Sequence, residues 1–161
     1  MRFFLAICLY LFSTAAFAKR LAVLDFTSSS TSKDVLNTMA EMVRNTATNT
    51  LGKSGVQVMD KTNMLSLLQD QGKDATCISG QCEIDMGRNI GADYVVTGQL
   101  ALDEGDWILN LSLYETTGGA KLKGKTLIKE SKKALRRALS DETQLLLTAC
   151  LLYTSDAADD K

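Results

Sequence analysis

Two short turn sequences divide the centre of the chain into three apolar-rich segments. DEGD at residues 103–106 and TTGG at residues 116–119 consist of acidic, threonine and glycine residues that favour tight turns. Between them, residues 107–114 alternate apolar side chains with asparagine and serine, the two-residue period of a strand with one buried face. Because turns this short join antiparallel neighbours, residues 94–102, 107–114 and 122–128 are predicted to form an antiparallel meander. The lysines of its third strand are expected on the outer face.

The first half of the chain predicts a different unit. Residues 20–26 have the length of a buried strand, and residues 33–51 repeat apolar side chains at three- and four-residue steps, as a helix does. A strand at 56–59 follows, and then a short helix capped by Asp60 or Thr62. The order strand, helix, strand favours a parallel, right-handed unit. The predicted fold is α/β (α+β): a mixed sheet of about five strands, two from the β-α-β unit and three from the meander, with helices packed on it.

The N-terminus has the three parts of a secretory signal peptide. Arg2 is the positive start, residues 3–12 are an unbroken apolar run, and a small-x-small cleavage site (AFA) ends at Ala18, before Lys19. A retained anchor is the alternative, but the run is shorter than the ~20 residues of a spanning helix. Cys8 lies inside the apolar run, unlike a lipid-attachment cysteine. The chain is therefore predicted to be cleaved and periplasmic, without a lipid anchor.

The C-terminal residues do not continue the pattern that precedes them. Residues 150–160 (CLLYTSDAADD) follow a predicted helix and resemble the conceptual translation of a transposon-based sequencing adapter. A frayed acidic terminus is the alternative. The chain is accordingly divided into a signal peptide at 1–18, a single α/β domain at 19–149 and a non-native tail at 150–161. The natural protein is expected to continue beyond residue 149.

Two of the four cysteines, Cys77 and Cys82, fall in the predicted domain. An even pair in an exported chain favours a structural disulfide. Free thiols, a metal site and a redox pair are the alternatives. The chain has no histidine to complete a four-ligand metal site, and redox pairs are more often spaced C-x-x-C. The pair is expected to close a polar loop around Gly80, ahead of a helix at residues 83–90.

Charge is balanced over the chain but unevenly distributed. The sequence has 18 Lys plus Arg and 19 Asp plus Glu, so it has no excess of positive charge that would indicate a nucleic-acid partner. Basic residues gather in the last third of the domain, at Lys121, Lys123, Lys125, Lys132, Lys133, Arg136 and Arg137. Such a stretch is either an ordinary solvated face or a surface for anionic lipid, lipopolysaccharide or an acidic partner protein.

No catalytic, cofactor or metal site is predicted. Without histidine, the chain cannot form a Ser-His-Asp or Cys-His arrangement. The acidic turn at residues 103–106 lacks the converging oxygen ligands of a cation site. The hydroxyl-rich loop from Thr27 to Ser32 has the position of a phosphate-binding loop in flavodoxin-like folds. It lacks glycine, however, and its serines fit turn and N-cap roles, which we favour.

Four stretches carry a family resemblance: RLAVLDF, GVQVMDKTNMLSLLQDQG, CEIDMGRNIGADYVVTGQL and LSLYETTGG. Together they resemble the periplasmic domain shared by CsgG-like and TolB amino-terminal-like proteins. None of these residues is catalytic in that family, so they are markers of the fold. The resemblance implies that Gly91 releases a helix into a strand and that Gly98 allows close backbone packing.

The resemblance also implies a function. It indicates a non-enzymatic, exported cell-envelope module, an adaptor or an assembly- or secretion-associated subunit that works through protein–protein contacts. An envelope protein partner is expected, and a homo-oligomer is left open. Pore formation is not carried over, because the turns at 103–106 and 116–119 are too short to supply membrane-crossing hairpins. The alternative is a small-ligand or flavin/phosphate-binding enzyme that uses the loop from Thr27 to Ser32.

Overall fold

A computed structural model describes residues 18–70 and 80–156 of the chain, with side chains described through 148 and at 150. Its elements in chain order are β1 (Lys19–Val23), α1 (Lys33–Leu51), β2 (Val56–Val58), α2 (Lys61–Asp70), α3 (Gly80–Asn89), β3 (Tyr94–Asp103), β4 (Asp106–Glu115), β5 (Lys121–Lys129) and α4 (Lys132–Asp156). They confirm the predicted fold class, a mixed five-stranded sheet with helices packed on it.

The sheet has the strand order β2-β1-β3-β4-β5. β1 pairs in parallel with both β2 and β3, and β3, β4 and β5 form the predicted antiparallel meander. After β1 the chain stays beside β3: the Thr27 N–H donates to the Gly98 carbonyl at 2.9 Å, and the Leu100 N–H donates to the Thr27 carbonyl at 2.9 Å. The sheet therefore has two edges, the three-residue strand β2 and the nine-residue strand β5.

One face of the sheet is covered by α1 and α4. The predicted stripe of α1, which includes Met39 and Val43, meets Leu109 and Leu113 of β4 and Leu139 of α4 in the larger of two apolar clusters. Each of these five side chains is fully buried. Burial of one such side chain stabilises a fold by about 1.5–3 kcal/mol, so the alternating pattern of β4 and the helical period of α1 carry much of the stability.

The opposite face is covered only in part. α2 and α3 contribute Met64, Leu68, Met86 and Ile90 to a smaller cluster over β1 and β3. Asp60 caps α2, as predicted, because its Oδ1 accepts the Asn63 N–H at 2.9 Å. Within the described residues, only the first turn of α3 reaches β4 on this side, so the polar side chains of β4 and β5 on this face remain accessible.

Two glycines have the roles that the resemblance implied. Gly91 follows α3 with φ +67°, a left-handed conformation that other residues rarely adopt. At Gly98, a Cβ would lie 2.6 Å from Cδ2 and Cε2 of the Phe26 ring. The absence of a side chain at Gly98 therefore lets Phe26 pack directly against the backbone of β3.

The lysines of β5 do not lie on a single outer face, contrary to expectation. Lys123 and Lys125 share the face of the buried Leu127, which is the face that α4 covers. A register shift at Leu113/Tyr114 then places Lys121 opposite Tyr114, on the other face. A β-bulge inserts one residue, so it reverses the side-chain alternation beyond it.

The helix after the cysteine pair starts earlier than predicted. Gly80 was expected in a loop and the helix at residues 83–90, whereas α3 begins at Gly80 and already contains Cys82. Glycine lowers helix propensity, but a Cβ at Gly80 would lie 3.1 Å from the Tyr114 hydroxyl oxygen. The close approach of α3 to β4 explains glycine at this helix start.

α4 runs without a break through the predicted start of the non-native tail. Cys150 lies within it and is fully buried in the larger cluster. That residues 150–161 are a non-native tail stays a prediction. Over the part of the chain that the structure describes, neither α4 nor any other helix has the length and hydropathy needed to span a bilayer.

Candidate functional site

The predicted basic residues fall into three groups. Lys121 lies on the α3 side of the sheet. Lys123 and Lys125 hold α4 against β5: Lys123 Nζ donates to the Leu145 carbonyl at 2.6 Å, and Lys125 Nζ lies 2.9 Å from Glu142 Oε2. These two lysines therefore support the fold. The third group is at the start of α4.

Lys132 anchors the start of α4 to two other elements. Its Nζ lies 4.6 Å from the centroid of the Trp107 ring, within cation–π distance. The same ammonium group donates to Thr31 Oγ1 at 3.3 Å. Lys132 therefore fixes how the helix begins beside β4 and the loop before α1.

The next three cations of α4 are not used in this way. Lys133 and Arg137 are exposed and Arg136 is half-buried. Among the described residues, none of the three has a salt bridge or hydrogen bond to a side chain. The first turn of α4 contains no acidic residue, so Lys133 lies unfavourably at the positive end of the helix dipole, and Arg136 and Arg137 follow in the second turn. This arrangement works against helix stability, which makes the start of α4 (Lys132, Lys133, Arg136 and Arg137, here the α4 basic end) a candidate interaction surface.

The hydroxyl-rich loop uses part of its hydrogen-bonding capacity internally. The Thr27 N–H is paired with β3, as described above, and the Ser30 N–H donates to Ser28 Oγ at 3.0 Å. Ser32 occupies the N-cap position of α1, as predicted, but its side chain makes no capping hydrogen bond. The loop is thus a turn joined to the sheet, and a phosphate or flavin role for it stays the untested alternative.

The cysteine pair and the cleavage site are only partly within the described residues. Cys82 is partly buried in the first turn of α3 and packs against the smaller apolar cluster. Cys77 lies outside the described residues, so the disulfide stays a prediction. The predicted cleavage point between Ala18 and Lys19 coincides with the first residue of β1.

The acidic turn forms the hairpin between β3 and β4. Glu104 and Gly105 both have positive φ, +47° and +96°, and Asp103 pairs with Asp106 across the turn. Positive φ at both central residues is the geometry of a type I′ hairpin. No group of three or more metal-ligating side chains occurs among the described residues, in this turn or elsewhere.

The structure also shows a polar site that the sequence interpretation missed. Gly80, Glu83 and Gly87 are spaced three and four residues apart, so they share one face of α3. A Cβ at Gly87 would lie 2.3 Å from Val95 Cγ2, and Gly80 lies against the Tyr114 hydroxyl. The two glycines bring the helix close to the sheet and direct Glu83 toward it.

Glu83 meets three side chains on the open face of the sheet. Burial raises the pKa of its carboxyl above the ordinary 4.5, while hydrogen bonds from Thr97 and Tyr114 and the positive charge of Lys121 act in the opposite direction. Burial also raises the pKa of the Tyr114 phenol, and the neighbouring Glu83 charge adds to that shift. Glu83 is therefore a partly desolvated acid in a hydrogen-bonded cluster.

Two rows of polar side chains form the floor beside Glu83. Thr97 pairs with Ser112 across β3 and β4, and Gln99 pairs with Asn110 in the next row. With Thr27, Gly80, Glu83 and Tyr114 these four residues line a cavity of about 130 Å³, here the Glu83 cleft. Convergent polar groups with a perturbed acid are the usual features of a binding site.

No protein-family profile and no curated protein matches this chain. Among solved structures, it is similar to the LpoB C-terminal domain from Salmonella enterica, with 15% identity over 74% of this chain and 87% of that chain and a TM-score of 0.54. It is also similar to lipoprotein GNA1162 from Neisseria meningitidis, with 14% identity over 70% and 80% of the two chains and a TM-score of 0.51. TolB from Acinetobacter baumannii aligns with 19% identity over 80% of this chain and 28% of that chain, with a TM-score of 0.49.

At these identities the similarity to LpoB and GNA1162 is one of fold alone. That shared fold agrees with the predicted fold class, and the TolB amino-terminal-like part of the resemblance stays a prediction. The CsgG-like part stays a prediction.

Proposed function

We propose that this chain is a non-enzymatic, exported cell-envelope module that works through protein–protein contacts, and that the α4 basic end binds an acidic surface of an envelope protein. The observation that carries the proposal is that Lys133, Arg136 and Arg137, at the start of α4, have no salt bridge among the described residues. A helix that begins with Lys132, Lys133, Arg136 and Arg137 and has no acid in its first turn loses stability to its own dipole. A partner carboxylate would remove that cost.

The shared fold supports the envelope assignment. GNA1162 is a lipoprotein, and the LpoB domain has the same fold. The predicted signal peptide points to the same compartment, and Lys19 is the first residue of β1. Mass spectrometry of periplasmic material should find a chain that begins at Lys19. A membrane-bound product that retains Met1 would contradict export with cleavage.

Binding should depend on the exposed cations and not on net charge alone. The test variant is Lys133→Gln with Arg137→Gln, which leaves Lys132 and its contacts with Trp107 and Thr31 intact. The matched control is Lys53→Gln with Arg20→Gln, since both of these side chains are also exposed and the charge change is the same. Each protein is expressed with its signal peptide and carries a photo-crosslinking residue at position 141, which is exposed on the next turn of α4.

We expect the unaltered chain and the control to form the same crosslinked species, which should weaken as salt is raised because the attraction is screened. The test variant should form at least tenfold less of it, as the loss of two charge-assisted contacts implies. Equal crosslinking by the test variant would refute the surface. Binding to anionic vesicles without a protein crosslink would assign the surface to lipid instead.

A further inference from the structure

The Glu83 cleft offers both hydrogen-bond donors and acceptors. The Glu83 carboxylate accepts, the Thr97 and Ser112 hydroxyls, whose protons are directed at Glu83 and Tyr114, accept, and the amides of Gln99 and Asn110 can donate. Asn110 Oδ1 already accepts the Thr126 hydroxyl at 2.7 Å, so its amide nitrogen is the part left for a ligand. A ligand that fits must therefore donate at the Glu83 end and accept at the amide end. Hydroxyl groups on neighbouring carbons do both.

The electrostatics of the cleft favour a ligand without net charge. Glu83 already receives hydrogen bonds from Thr97 and Tyr114, and the positive charge of Lys121 acts on it. Part of its charge is thus offset within the protein, and an added cation would be repelled by the positive charge of Lys121. An anion would meet the Glu83 carboxylate at short range. A neutral polar ligand meets neither problem.

The size of the cleft limits what can enter it. A volume of about 130 Å³ is roughly that of four water molecules at ~30 Å³ each. That space suits a diol or one edge of a ring and is too small for a nucleotide or a flavin. The rest of a larger ligand would lie on the sheet surface beyond the cleft.

That neighbouring surface is apolar. In the row after Gln99 and Asn110, Ala101 pairs with Ile108 and Ile108 pairs with Ile128, so the three side chains lie side by side. Ile128 is 56% exposed, the largest fraction among the exposed large apolar residues of the described chain. The row is two residues farther along the strands, roughly 7 Å from the amides. The open face therefore changes from polar to apolar over the length of one small ring.

We infer that this face is a binding site for a neutral saccharide. A sugar has hydroxyl edges that match the Glu83 cleft and C–H faces that match the Ala101–Ile108–Ile128 row. The first ring places hydroxyls on Glu83 and Asn110, and a second ring covers Ile108 and Ile128. This site is on the opposite side of the sheet from α4, so it is independent of the α4 basic end.

NMR titration of the ¹⁵N-labelled exported chain tests the inference. Glucose and cellobiose are the probes for one ring and two, and methylammonium is the probe for a cationic ligand. We expect both sugars to shift the amide signals of Thr97, Ser112 and Gly124, and cellobiose to bind at least threefold more tightly than glucose because it also covers the apolar row.

Two pairs of variants separate the cleft from the apolar row. Ser112→Leu fills the cleft and should weaken the binding of both sugars at least tenfold, while Ser66→Leu, at an exposed position on α2, should change neither. Ile128→Ser should lower the affinity for cellobiose to the affinity for glucose. Leu145→Ser should not lower it, although this side chain on α4 is also exposed, at 49%. The inference would be overturned if only methylammonium shifted these amide signals, or if neither sugar did. It would also be overturned if the shifted signals came from residues away from the cleft.

Discussion

Replacing Gly98 with alanine should destabilise the protein because of one neighbour, the Phe26 ring. The new Cβ would lie 2.6 Å from two ring carbons, about 1 Å closer than the 3.5–4.0 Å of ordinary carbon contacts. Phe26 is buried in the larger cluster and has little room to move. Overpacking of this kind costs about 1–3 kcal/mol, while removing glycine from a strand gains about 0.5–1 kcal/mol. We expect a net loss of about 1–2 kcal/mol for Gly98→Ala.

A double-mutant cycle isolates that contact. Phe26→Ala alone should cost about 3–5 kcal/mol. In the Phe26→Ala protein the clash is gone, so Gly98→Ala should stabilise by about 0.5–1 kcal/mol. The sign of the Gly98→Ala effect should therefore reverse, with a coupling energy of about 2 kcal/mol between the two sites.

Urea denaturation followed by circular dichroism measures each free energy of unfolding. Gly124→Ala is the matched control, since Gly124 is also in a strand but its Cβ would lie 3.1 Å from the flexible end of Lys121 and at an ordinary 3.7 Å from the Leu111 carbonyl oxygen. That substitution should be neutral or slightly stabilising. If Gly98→Ala costs the same in both backgrounds, the ring contact is not the reason for glycine at this position.

Three further predictions concern titratable groups. Burial raises the pKa of Glu83, so its proton contributes stability below pH 4.5 that is lost as pH rises through the folded-state pKa. The melting temperature of Glu83→Gln should therefore increase relative to that of the unaltered chain as pH rises. A difference in melting temperature that stays constant with pH would contradict this. Replacing Cys77 and Cys82 with serine should cost roughly 2 kcal/mol without unfolding the domain, and thiol titration that finds two free thiols in periplasmic protein would refute the disulfide. Burial raises the pKa of Cys150 to about 12, so iodoacetamide should modify it only after denaturation; rapid modification of the native chain would show that α4 is not packed as described.

The periodicity of the sequence was enough to predict the helices and strands that pack the larger cluster. α1 spans the predicted residues, and the apolar positions of β4 lie on one face. Both patterns arise because one face of each element must be buried against the rest of the protein. The same reasoning failed on β5. A β-bulge leaves no mark in the hydrophobic alternation of the sequence. The face of the sheet on which Lys121 lies could therefore not be predicted from its spacing to Lys123.

The Glu83 cleft was missed for a different reason. Gly80 was placed in a loop and Gly87 was given no role within the predicted helix, whereas both are positions where α3 contacts the sheet. The helical spacing of Gly80, Glu83 and Gly87 was the available signal. It would have placed Glu83 between two glycines on the packed face of a helix. What the acid meets there depends on which strand lies beneath it, and the sequence alone does not show that.

The two edges of the sheet differ in a way that bears on self-association. β5 presents a long row of unpaired backbone groups, the type of edge on which a second copy could add a strand. Two β5 strands in antiparallel contact would bring lysines of one copy, at 121, 123, 125 and 129, against those of the other, and like charges opposed across a strand pair are destabilising. At the other edge, β2 offers only three residues. The chain is thus resistant to the growth of a continuous intermolecular sheet.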